Sequence, residues 1–157
     1  MKKLFIAIAL AASLCGAAAA KVTDEQIALG GITIGSTEAY VRQTYGPPKR
    51  IERSFFAPRN QFIRDYQYGE SFLVSVLEKD GTVFRMMSMG QKNGIATPAG
   101  VKVGDPFTDV ISKYGYPDLR QIDGETDYYW YFGEGEKGNL VFHISYGKVT
   151  GIVCGKK

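Results

Sequence analysis

The chain offers few side chains for chemistry, and their spacing narrows what that chemistry could be. It has one histidine, His143, and two cysteines, Cys15 and Cys154. Nucleophilic catalysis by Ser, Cys or Thr draws on a base, most often histidine. His143 sits in Leu140-Val141-Phe142-His143-Ile144-Ser145, where Leu140, Phe142 and Ile144 alternate as a core face. That places His143 on the opposite face of the strand, and no G-x-S-x-G accompanies it. One histidine and one cysteine outside the export segment do not compose an ordinary zinc site. No G-x-x-x-x-G-K-[ST] is present, and Gly133-Glu134-Gly135-Glu136 has the wrong charge for a phosphate loop. Asp123, Glu125 and Asp127 alternate, which suits either a solvated acidic loop or a weak site for a hard cation. The sequence therefore predicts a protein that is not an enzyme and uses neither cofactor nor metal.

Two further groups of residues suit binding. Lys49, Arg50, Arg53, Arg59 and Arg64 form a basic cluster with Glu52 inside it and Phe55 and Phe56 beside it. This predicts a positive patch for a protein partner. Tyr128-Tyr129-Trp130-Tyr131-Phe132 is an unbroken aromatic run. In a strand, alternate side chains point to opposite faces, and a helix can cover only one of them. Tyr66-Gln67-Tyr68 aligns on Tyr129-Trp130-Tyr131, and the Gln67/Trp130 mismatch predicts two sheets that differ on that face. Exposed Tyr and Trp commonly anchor protein partners. The residues expected to bind are Tyr66, Tyr68, Tyr129, Tyr131 and Arg64. The competing reading is that these rings are buried where the two halves of the chain meet.

The elements that must position these residues come in two sets. Gly31-Ile32-Thr33-Ile34-Gly35 is echoed by Gly100-Val101-Lys102-Val103-Gly104, and Tyr45-Gly46-Pro47-Pro48 by Tyr114-Gly115-Tyr116-Pro117. Val41 matches Val110, and every pair is 69 residues apart without a gap. This predicts a tandem duplication over 26–93 and 94–157. Each copy opens with a short apolar strand, 32–34 or 101–103, and continues into a helix. In the second copy Asp105 suits the N-cap and Pro106 the first helical position. Phe107, Val110, Ile111 and Tyr114 then share one helix face. Gly115 suits the end of the helix, and Pro117 prevents its continuation. In the first copy Ser36 takes the cap position, and Glu38 and Arg42 interrupt the apolar face. Strands follow at 61–68, 72–78 and 83–89, and at 127–132, 140–145 and 149–154. Shorter strands are expected at 49–56 and 119–122. Asp80-Gly81 and Tyr146-Gly147 mark hairpin turns. The expected fold class is α+β: two repeats, each a short helix followed by an antiparallel meander, in one joined or adjacent sheet.

Residues 1–20 read MKKLFIAIALAASLCGAAAA: two lysines, an apolar run, then Ala18 and Ala20 before Lys21. That order is the pattern of a secretory signal peptide. Residues 21–93 and 94–157 then form the two repeats of an exported, periplasmic or extracellular chain. Leu14 directly before Cys15 argues against lipid attachment there. Of the net charge of +3 in the whole chain, two charges leave with Lys2 and Lys3. A remainder of +1 is too small for general nucleic-acid binding. No later stretch approaches the 18 or more apolar residues of a membrane span. Cys154 is expected as a buried apolar side chain or as a thiol for an external partner.

The residues Gly35, Val41, Tyr45, Gly46 and Pro48, repeated as Gly104, Val110, Tyr114, Gly115 and Pro117, resemble the β-lactamase inhibitory protein-like fold. A single copy of the same pattern resembles the SmpA/OmlA family of small outer-membrane assembly lipoproteins. The first resemblance implies a long sheet whose exposed aromatic and polar residues grip a partner enzyme. The second implies association with outer-membrane components. The chain lacks both the lipobox of those lipoproteins and the cysteine pairs of the secreted inhibitors. Together these readings predict a monomeric, exported protein-binding module, with an envelope scaffold or a small-molecule or cation binder as the alternatives.

Overall fold

The computed structural model describes residues 21–90, 92–135 and 138–156. The expected export signal, with Cys15, lies outside the described residues. The architecture is α+β: two short helices, a two-stranded sheet and an eight-stranded antiparallel sheet. The small hairpin pairs β1 (Ala28–Leu29) with β2 (Ile32–Thr33). Helix α1 (Glu38–Tyr45) leads into β3 (Arg50–Phe56), β4 (Gln61–Tyr68), β5 (Phe72–Leu77) and β6 (Val83–Met89). Helix α2 (Phe107–Tyr114) leads into β7 (Leu119–Asp123), β8 (Thr126–Phe132), β9 (Asn139–Ser145) and β10 (Lys148–Gly155). The sheet order is β3-β4-β5-β6-β10-β9-β8-β7, so the last strand of each set meets its counterpart at the centre. Residues 101–103 do not extend into a strand; Ala96 and Lys102 make a single bridge instead.

Local chemistry explains both helices. Thr37, not Ser36, caps α1, its hydroxyl accepting from the Tyr40 N–H at 3.2 Å. Ser36 instead accepts from the Thr33 N–H in the preceding turn. At α2 the N-cap is Pro106, and Asp105 accepts from the Lys102 N–H at 2.9 Å. Each expected cap residue thus serves the tight turn before its helix. Both helices stop at glycine. Gly46 has φ 74° and ψ −160°, and Gly115 has φ 75° and ψ −165°. That region of backbone space is essentially restricted to glycine. The hairpin between β9 and β10 has Tyr146 at φ 51° and Gly147 at φ 72°, the two positive φ values of a type I′ turn.

The main core lies on one face of the large sheet, and a smaller buried cluster of Ile63, Leu77 and Phe84, with Phe56 against it, lies on the other. Val41 of α1, Val110 and Tyr114 of α2, and Leu29 and Ile32 of the small hairpin all pack in the main core. They meet Val74, Met86, Leu140, Phe142, Ile152 and Cys154, so residues from both halves form a single cluster. Burying each such aliphatic or aromatic side chain contributes about 1.5–3 kcal/mol. Cys154 is fully buried and free, and burial pushes its thiol pKa up.

Candidate functional site

The expected aromatic surface is turned inward. Tyr66, Tyr68, Tyr129 and Tyr131 are 0%, 8%, 8% and 1% exposed. Register explains why: Tyr66 lies opposite Val74, Tyr129 opposite Phe142, and Tyr131 opposite Leu140. Partners across an antiparallel ladder share a face, and here that face is the core. At the C-terminal end of each helix a tyrosine completes the packing. Tyr45 stacks on Tyr68 and Phe72, with ring centres 5.2 Å away in both cases. Tyr114 stacks on Tyr131 and Phe142 at 5.6 and 5.3 Å. The Tyr131 hydroxyl donates to the Gly115 carbonyl at 2.8 Å, tying strand to helix end. As an exposed binding surface, these four tyrosines are corrected to core residues.

Arg64 shares that inward face. Its guanidinium donates to Glu38 of α1 at 2.7 Å, while Arg42 meets the other carboxylate oxygen at 3.0 Å. Burial pushes the Glu38 pKa up, but its contacts with Tyr66, Arg42 and Arg64 outweigh that and hold it below the ordinary range. The rest of the basic cluster is also engaged. Lys49 pairs with Glu70, Arg50 with Glu52, and Arg53 with Glu78. The expected positive patch is thus largely neutralised within the chain, by Glu52 from within the cluster and by Glu70 and Glu78, which the fold brings to it. The acidic residues do not converge either. Asp127 pairs with Arg120 at 2.6 Å, the Tyr146 hydroxyl donates to Glu125, and Asp123 lies on the other face of the sheet from Asp127.

The sheet's second face is the better candidate. Among the described residues, α1, α2 and the small hairpin all pack on the first face. The register places Tyr128, Trp130 and Phe132 of β8 on the second, with Val141 and His143 of β9. Leu73 of β5, Met87 and Met89 of β6, and Val153 of β10 continue the row across the centre. Apart from the buried Val141, these side chains are half-buried. Tyr128 meets His143 edge-on with centres 4.7 Å apart, and burial lowers the His143 pKa. Gly151 makes this possible: a Cβ there would fall 2.4 Å from Met89 Sδ and 3.1 Å from His143 Nδ1. The glycine lets both side chains lie over β10.

The first half of this face sets a polar group beside the buried cluster of Ile63, Leu77 and Phe84. Asp65, Ser75 and Arg85 form a chain of contacts, the Ser75 hydroxyl donating to Asp65 and Arg85 Nε donating to Ser75 at 3.3 Å. Gln67 stands where the second half has Trp130, as the sequence mismatch predicts. The face as a whole is an apolar and aromatic row beside a hydrogen-bonded polar group, and the buried Trp130 Nε1 has no hydrogen-bond partner among the described residues. That composition suits contact with a protein: aromatic anchors and methionines with a polar rim.

No family model matches the chain, and no curated protein does. Solved structures do. A DUF4309 family protein (YjgB) from Bacillus subtilis aligns over 81% of this chain and 83% of its own, at 14% identity and a TM-score of 0.48. An extracellular protein containing a SCP domain from Bacillus anthracis aligns over 79% of this chain, at 15% identity and a TM-score of 0.51. This chain spans 44% of that protein, so the likeness concerns a part of it and shows the fold alone. A "putative beta-lactamase inhibitor protein" from Streptococcus mutans aligns over 84% of this chain and 88% of its own, at 15% identity and a TM-score of 0.30.

Proposed function

We propose that this protein is an exported, non-enzymatic binding module of two repeats that holds a protein partner on the second face of its large sheet. One observation carries this reading. A row from Leu73 through Met87, Met89, Val153 and His143 to Tyr128, Trp130 and Phe132 faces away from α1, α2 and the small hairpin. A soluble sheet usually leaves such a face polar, and contiguous apolar patches of this kind mark interaction sites. The two-repeat reading is supported by helices that open 69 positions apart, at Glu38 and Phe107, and by a sheet order that mirrors about β6 and β10. Export is supported by the signal pattern of residues 1–20. The inhibitor-like fold resemblance fits a partner that is itself a folded protein.

The test is retention of a partner from periplasmic or culture extract, comparing the wild type with Tyr128→Ala/Trp130→Ala. Removing central aromatic anchors costs about 2 kcal/mol or more of binding, so the double variant is expected to lose the retained protein. Equal retention by a correctly folded variant refutes the reading. An envelope scaffold would be the second reading if the retained protein belonged to the outer membrane.

A further inference from the structure

Three side chains at the centre of the second sheet face carry soft donor atoms. Met87 and Met89 of β6 alternate with the buried Met86 and Ser88, so both of their thioethers lie on this face while Met86 lies in the main core. His143 reaches the same place from β9. Gly151 of β10 stands opposite both Met89 and His143. Just before it the pairing of β10 with β9 skips Thr150. Such bulges re-aim side chains and are common beside functional sites.

Gly151 is what lets the donors meet. A Cβ on it would lie 3.1 Å from His143 Nδ1 and closer still to Met89 Sδ. An imidazole nitrogen and a thioether sulfur therefore converge above one bare Cα. Met87 stands diagonally across from Gly151, a spacing that long side chains span. Its three rotatable bonds let its sulfur turn toward the same point. Tyr128 packs edge-on against the His143 ring and holds its orientation. All three donor side chains are half-buried, so an ion can enter from solvent.

Among the described residues, His, Cys, Asp and Glu form no group of three that could hold a metal ion. Two thioethers and an imidazole make a different set. Calcium and magnesium find no oxygen donors in it. Zinc finds neither the thiolates nor the further imidazoles of its usual sites. Thioether sulfur selects Cu(I), and imidazole suits copper as well.

We propose that Met87, Met89 and His143 form a binding site for Cu(I). A count of histidines and cysteines alone misses this set, which is why the sequence predicts no metal. The proposal goes beyond the protein-binding reading of this face and does not rest on it.

Titration of the purified protein tests it, with methionine-methyl and imidazole NMR as the readout. The probes are Cu(I) under anaerobic conditions and Ag(I), an air-stable ion of the same softness. The Met87 and Met89 methyl and His143 ring signals are expected to shift together while Met86 stays in place. Zn(II) should leave all the methyl signals unmoved. Met87→Leu/Met89→Leu, a swap that conserves volume, should lose the site. Gly151→Ala should weaken it by pushing Met89 and His143 apart. Cys154→Ala should leave it intact, since that thiol lies in the core. Each variant is first matched to the wild-type amide spectrum. No protein partner is present, so this proposal and the protein-binding reading can fail separately. No shift in the wild type, equal shifts at Met86 or with Zn(II), undiminished binding by a folded methionine or glycine variant, or loss of binding in folded Cys154→Ala overturns the proposal.

Discussion

At the residue scale, each aromatic on β8 does one of two opposite jobs, and a single step along the strand separates them. Tyr129 and Tyr131 face the helices, while Tyr128, Trp130 and Phe132 face away. The alternation is legible in the sequence, and so is the conclusion that both faces carry rings. Which set faces inward depends on register. Leu140, Phe142 and Ile144 are readable as a core face, and Tyr129 stands opposite Phe142. The connection from Phe132 to Asn139 is too long for a two-residue turn to fix that pairing from sequence. The same gap explains Arg64: its partner Glu38 is 26 positions away and meets it only once α1 lies on the sheet. The two sets of aromatics should respond differently to truncation. Tyr66→Ala should cost about 3–5 kcal/mol of stability, as buried aromatics do. Trp130→Ala, with one side of its ring uncovered, should cost about 1–2 kcal/mol. Urea denaturation checks this, and the reverse order would mean that the faces are assigned the wrong way round.

At the element scale, the expected helices and strands are nearly all present, with shifts at their ends. The strands at 61–68 and 83–89 match their observed limits. The helix caps do not, because Ser36 and Asp105 each stand one residue before the observed cap and satisfy the preceding turn. Short polar side chains serve either site, and composition does not choose between them. The Tyr-Gly pairs have a firmer cause. Tyr45 and Tyr114 close the core, and the following glycine turns the chain through a conformation that other residues avoid. Gly115→Ala should therefore lower stability by about 1–3 kcal/mol, although no neighbouring atom obstructs a Cβ there. A calorimetric melt checks this. An unchanged melting temperature would show that α2 ends without needing that backbone conformation.

At the scale of the whole molecule, the sheet joins its halves through β6 and β10, and one core cluster spans both. Covering one face with α1, α2 and the small hairpin leaves the other face with the smaller cluster of Ile63, Leu77 and Phe84 and with the aromatic row. The two halves of that face differ at Gln67 and Trp130, a contrast already visible in the aligned sequences. The assembly of the central row was not legible, because Leu73, Met87, Val153 and Val141 come from four strands whose order only the fold supplies. This second face is the central claim, and site-specific photocrosslinking tests it directly. A benzophenone side chain at Met87, in the middle of the row, is compared with one at Thr44, exposed on α1. Irradiation in the exported compartment is predicted to give discrete protein adducts from Met87, and none of those adducts from Thr44. Absence of adducts from Met87, or the same adducts from both positions, would contradict a binding face on the open side of the sheet.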